Sequence, residues 1–280
     1  MRARVAGSQL RVPGGAEGLL ADLLDGRPRG ESPRKVDKPA RVPAFAGGTW
    51  RRMSPLSRLV ASACAPLLEG REDLDTLPVI WGTALGELGP TERFLGRLFT
   101  EGPERASPLA FQNSVYNAPA GHLSIGLGLK GPSETVSGGA ASGLAALGRG
   151  IELIELGASA VLVVAGDDIT ATYAKGFEVN GRSDPLGEAV VALLLTPDRG
   201  VEVELVDALE PLADAPVFAR SRALPCEAPL PALRTTELEP VLGSTTCLGL
   251  VALTALVNAG ARGSVVGVDG ASVTTARTPG

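Results

Sequence analysis

Residues 158–166 read ASAVLVVAG, an uncharged apolar run with no alternation. A strand with one wet face alternates polar and apolar side chains, so this run predicts a strand covered on both faces. Just before it, Gly139–Gly157 carries apolar residues at Ala140, Leu144, Leu147, Ile151 and Ile154, which is helical spacing. A helix followed at once by a doubly covered strand predicts a layered α/β architecture with helices on both sides of a sheet. At 280 residues the chain can bury such a core. With only 4% aromatics, Ala, Val and Leu must fill it, and 36 glycines suit close helix–sheet contact.

The remaining elements fit the same scheme. Ala3–Val12 predicts a strand and Ala16–Leu24 a short helix, followed by an extended, proline-rich and charged loop over Arg27–Ala44. Ser54–Leu68 has an N-cap serine, Pro55 in the first turn and an amphipathic pattern. Leu77–Thr83 predicts a buried strand, Thr91–Thr100 a helix, Leu109–Ala118 a loop with strand character and Gly121–Leu129 a short helix. Gly187–Thr196 and Val201–Ala208 predict strands, as do Ser264–Asp269 and Ala271–Ala276, with a helix over Leu248–Ala259. Pro211–Pro240 reads as a long connection between two halves. Each half holds a small-residue helix followed by a hydrophobic strand, at Gly139–Gly166 and Thr246–Asp269.

Charge and composition narrow the function. A net charge of −5 disfavours a nucleic-acid binder, which needs cations to exchange for counterions. Between Arg27 and Arg58 nine basic residues face two acids; the run reads as a solvated face or as a docking patch for an acidic partner. Cys64, Cys226 and Cys247 are too scattered for a disulfide framework or a zinc knuckle, which points to a reducing cytoplasm. Neither a secretory signal nor a transmembrane span is expected.

Three motifs carry formal chemistry. Gly126–Gly131 fits GxGxxG but runs into Pro132 and follows no strand, so a dinucleotide cradle is not expected. Ser142 sits in GAASG, which is no nucleophile elbow, and the chain has one histidine, His122, to serve as a base. Asp167 and Asp168 follow a buried strand, where paired acids can bind a metal; a strand-end structural role is the simpler reading. No metal and no cofactor are expected.

Several segments, taken in order, resemble the β-ketoacyl synthase family. SPLAFQNSVYNAPAGHLSIGLGLKGPS is similar to the family's approach to its active site, and the helix from Gly139 and VLVVAGDD follow at matching distances. LGEAVVALLLT resembles the strand that closes the first half, and GSTTCLGLVALTAL a degenerate second-half helix segment. The resemblance covers about Arg51–Thr196 well and is weak from Val201 onward. It implies a thiolase-like α/β/α/β/α fold of two similar halves, a ketosynthase-like half over 1–200 and a shortened one over 201–280.

The resemblance also marks what is missing. The position matching the family's nucleophilic cysteine is Ala140, and a position matching one of its histidines is Ser244. It therefore implies a non-catalytic subunit, similar to a chain-length factor, in a type II fatty acid, polyketide or aryl polyene pathway. The partner would be an active ketosynthase or a second copy of the chain, with acyl carrier protein a further possible partner. Phe111, Val115 and Leu123 would lie at that interface. Two other readings stay open: an acyltransferase or hydrolase using Ser142, Ser244 or Cys247, and a homodimeric acyl-binding or structural protein.

Overall fold

The computed structural model describes residues 1–182, 185–206, 217–219, 235–237, 239–242, 247–269 and 272–278. The first half runs β1 (Arg2–Arg11), α1 (Leu19–Asp25), α2 (Gly47–Arg52), α3 (Pro55–Leu68), β2 (Val79–Gly82), α4 (Leu88–Glu101), α5 (Pro108–Gln112), α6 (Ala118–Leu127), β3 (Ser133–Val136), α7 (Ser142–Glu155), β4 (Val161–Asp167), α8 (Ala171–Val179) and β5 (Ala189–Thr196). The second runs β6 (Val201–Val206), β7 (Val217–Ala219), β8 (Thr235–Glu237), α9 (Glu239–Leu242), α10 (Leu248–Ala259), β9 (Gly263–Asp269) and β10 (Ser272–Thr278).

The described strands form one sheet in the order β3-β2-β4-β5-β1-β6-β10-β9-β7-β8. Read outward from the β1–β6 seam, the two sides repeat one pattern. In each, the first strand pairs antiparallel with the fifth and the fifth antiparallel with the fourth; the fourth and second, and the second and third, pair parallel. The seam is antiparallel, so the halves are related by an approximate two-fold. The similarity expected from the two helix–strand segments thus extends to all five strands of each side.

Strand β4 is covered on both faces, as its run of apolar residues requires. Leu162 and Val164 pack with α3 and α6 in one core cluster, while Val161, Val163 and Ala165 pack with α7 and α10 in another. Helices α7 and α10 form the inner layer. Glycine lets them touch: a Cβ on Gly143 would lie 3.1 Å from Cys247 Cα and 3.1 Å from Leu250 Cβ. The outer face at the seam needs no cover. There Arg2 and Arg277 pair with Glu204, and Arg4 with Glu202, while Val203 and Leu205 point into the core.

Three local expectations change. Ser107 accepts from the Ala110 amide and Pro108 starts a helix, so Leu109–Ala118 opens helically and not as strand or loop. Helix α6 starts at Ala118, before Gly121. The helix expected from Gly139 begins at Ser142; Gly139–Ala141 is a 3-10 turn, with Gly139 at φ +50°. The long connection at Pro211–Pro240 falls mostly outside the described residues, and β7 and β8 lie within its span.

Candidate functional site

The segment that would carry a nucleophile lies at the C-terminal ends of the parallel strands β2, β3 and β4. The Thr83 amide donates to the Val136 carbonyl at 3.1 Å, and a Cβ on Gly82 would meet the Ser142 carbonyl at 2.7 Å. Ala140 is exposed on the 3-10 turn and offers only a methyl group. Ser142 is fully buried. Its hydroxyl accepts from the Gly138 amide at 3.1 Å and donates to the Gly139 carbonyl at 2.8 Å, which closes the turn. Its proton and one lone pair are engaged in backbone structure.

Cys247 is buried at the head of α10, its thiol directed to the Ala189 carbonyl at 3.6 Å, beneath the contact with Gly143. Burial pushes the Cys64 thiol upward, away from thiolate. Ser244 lies outside the described residues. His122 is half-buried and its Nε2 meets Asn113 Oδ1 at 2.7 Å, tying α6 to the end of α5; burial lowers its pKa. The structure thus brings Ser142 and Cys247 to one helix crossing, as packing groups and not as a reacting pair.

The GxGxxG match also resolves into packing: a Cβ on Gly131 would lie 2.2 Å from the Leu77 carbonyl oxygen. Asp167 is saturated by Thr83 Oγ1 at 2.6 Å and by the Ala84 and Leu85 amides at 3.3 and 3.0 Å. It anchors the turn after β2. Among the described residues, no group of three or more His, Cys, Asp or Glu is disposed to hold a metal ion.

Two surfaces remain. One is apolar: Leu95 and Phe99 of α4, Leu109 and Phe111 of α5, and Val115 and Tyr116 beyond it are exposed, and Phe94 packs on Phe111 at 5.3 Å. Leu123 does not belong to this surface. It is 1% exposed and packs in the core cluster that includes Leu56, Leu59 and Leu162. The other is basic, a groove of about 800 Å³ lined by Arg51, Arg52, Arg58, Arg93 and Arg97. It takes up only part of the basic run expected at Arg27–Arg58. Arg29 pairs with Asp22 and Lys35 with Glu188, and Arg34 is buried. Arg93 and Arg97 joined it unforeseen, although their four-residue spacing on a helix was the available signal.

The family model for the β-ketoacyl synthase N-terminal domain matches residues 28–226. A curated relative, 3-oxoacyl-[acyl-carrier-protein] synthase 2 of Vibrio harveyi, is 30% identical over 101 residues, which are 36% of this chain and 24% of that protein. The matched stretch therefore spans about a quarter of the length of that relative. Among solved structures, the ketosynthase ApeO in complex with its chain length factor ApeC from Xenorhabdus doucetiae matches with a TM-score of 0.67 at 20% identity, covering 99% of both chains. A type II polyketide synthase assembly, AntDE:AntF, an acyl-carrier protein in complex with its ketosynthase bound to the hexaketide, matches with a TM-score of 0.79 at 15% identity, again over 99% of both chains. The fold is therefore that of the thiolase-like ketosynthases. Among the described residues no helix is long and apolar enough to cross a membrane.

Proposed function

This chain belongs to the β-ketoacyl synthase family, and on that premise we propose that it is a non-catalytic ketosynthase-like subunit that pairs with an active ketosynthase in a type II pathway, in the manner of a chain-length factor. The observation that carries this reading is the turn at 138–142. By the family resemblance Ala140 would stand at the nucleophile position, and the hydroxyl two residues on is locked into the turn. Condensation needs a thiolate at a helix start and groups that stabilise the oxyanion. The single histidine of the chain is held by Asn113 in another part of the fold. The buried thiol of Cys64 suits a reducing compartment such as the cytoplasm. We place the boundary between the halves at 200/201, just before β6.

Purified chain incubated with an activated acyl thioester is expected to show no acyl adduct by intact-mass spectrometry. A stable adduct on Ser142, Ser244 or Cys247 would replace this reading with that of an acyltransferase or hydrolase.

The partner reading rests on the exposed apolar surface around Phe111. Burying such a patch stabilises by about 25 cal/mol per Å² before the costs of association. Sedimentation velocity is expected to show a dimer for the chain alone and a heterodimer once a cognate ketosynthase is added. Phe111→Asp combined with Val115→Asp should weaken association at least ~10-fold, the scale of an anchor residue worth more than 1 kcal/mol. A monomer at micromolar concentration, unmoved by the ketosynthase, would remove the partner-subunit reading. Leu123→Asp is the control that tests folding, since that side chain lies in the core. The basic groove beside this surface has the charge to receive an acidic carrier protein and to speed its encounter.

A further inference from the structure

Around the C-terminal ends of β2 and β4 lie four acidic side chains, and two of them are incompletely paired. Glu87, at the start of α4, is fully buried. Its Oε1 accepts from Ser54 Oγ and Ser57 Oγ, each at 2.6 Å, while its Oε2 has no partner. Asp168, the residue after β4, is 5% exposed, and its Oδ1 also has no partner. A buried carboxylate oxygen without a donor is costly, and the neutral, protonated group costs much less to bury than the charged one.

The surrounding charges add to this. Asp167 is occupied by the turn after β2, and Glu188 accepts from Lys35 Nζ at 2.6 Å, the Ile169 amide at 3.1 Å and the Val36 amide at 3.1 Å. Lys35 also donates to the Ile169 carbonyl, and Thr170 Oγ1 donates to Glu92 of α4. Lys35 thus faces Glu188 and Asp168, and Arg93 of α4 faces Glu87. Burial is the first cause that pushes Glu87 up to about 7, with Ser54, Ser57 and Arg93 opposing. Burial also pushes Asp168 up to about 7, reinforced by Glu87, Glu188 and Asp167 and opposed by Lys35.

We propose that Glu87 and Asp168 form a proton-operated latch. While both are neutral, the β2–α4 turn (83–87) and the β4–α8 loop (168–170) lie together at the ends of their strands. When both ionise, the two segments separate. The direction follows from the sign of the shifts. A carboxyl whose pKa is raised in the closed form favours that form fully below the ordinary range, about 4. The advantage is lost as pH rises toward 7, and it is absent above that. The device sits on the partner-facing side as well: Tyr116 packs on Gly86 and its hydroxyl donates to the Ala84 carbonyl at 3.2 Å.

The test uses the full chain. Carboxyl ¹³C NMR of the wild type should show two midpoints for the pair above pH 6; either one below 6 overturns the proposal. Native-state hydrogen exchange reads the opening itself. After correction for intrinsic rates, protection of the Leu85, Gly86 and Ile169 amides should fall by about tenfold or more per titrating group from pH 5 to 8. Asp168→Asn should retain protection at pH 8 and show a shallower profile, as should Glu87→Gln. A flat wild-type profile, or variants that keep the wild-type slope, would sink the latch. The NMR arm needs no variant, so a substitution that fails to fold leaves the test intact.

Discussion

Gly150→Leu is expected to abolish the cooperative thermal transition of this chain. Gly150 sits where α7 crosses the sheet, and even a single Cβ there would lie 2.3 Å from Val163 Cγ2 and 3.0 Å from Leu195 Cδ1. Both neighbours are fully buried in the inner core cluster, so neither can swing out into solvent. Overpacking by a methylene or so costs about 1–3 kcal/mol, and leucine adds four carbons, against a total stability of about 5–15 kcal/mol. Gly150→Ala gives the sharper measurement. Alanine gains about 1 kcal/mol in helix propensity over glycine, yet the contact should outweigh it and lower Tm by several degrees, at roughly 2–4 °C per kcal/mol. A rise in Tm by differential scanning calorimetry would show that α7 does not ride this closely on β4 and β5.

The second large effect is a failure. Ala140→Cys is expected to be alkylated fully by iodoacetamide while condensing no acyl groups, with a rate at least ~10³-fold below that of an intact ketosynthase. The side chain at 140 is exposed, so a thiol there is reachable, and it lies one turn before α7, whose dipole favours the thiolate. Activation of the sulfur is only one part of the reaction. No histidine remains to stabilise the developing charge, since His122 is bound to Asn113. Groups that act as a unit are non-additive, so restoring one member returns little. Substantial turnover by this variant, measured with acyl and malonyl carrier protein, would mean that other side chains supply those roles.

The sequence made the framework legible wherever a pattern is local. The unbroken apolar run of β4 announced cover on both faces, and Ser54 with Pro55 announced the start of α3, where Ser54 Oγ accepts from the Ser57 amide at 2.9 Å. The family resemblance itself was legible in local motifs, and the family model matches residues 28–226. What remained hidden depends on distant partners. Helix α6 is apolar on nearly every side, so nothing in its spacing tells Leu123, which points inward, from Ile125, which is exposed. Glu87 reads as an ordinary turn acid, and its burial depends on Ser54 and Ser57, some thirty residues earlier in the chain. The start of α7 at Ser142 escaped because the hydroxyl folds back on Gly138 and Gly139, which hydrophobic spacing cannot register.

The β1–β6 seam bears on how the chain is made. Strand β1 leaves the ribosome well before both of its neighbours, since β5 and β6 come far later in the chain. The gap to β5 is roughly 180 residues, or about 10–40 s of synthesis at ordinary elongation rates. During that time β1 has two open edges, the kind of template that recruits a stray strand from another chain. Closure of the β1–β5 ladder is thus a late, long-range step that sets the pace for everything built on it. Slower growth at low temperature, by lowering the number of waiting chains, should raise the yield of folded protein more than any single change on the surface.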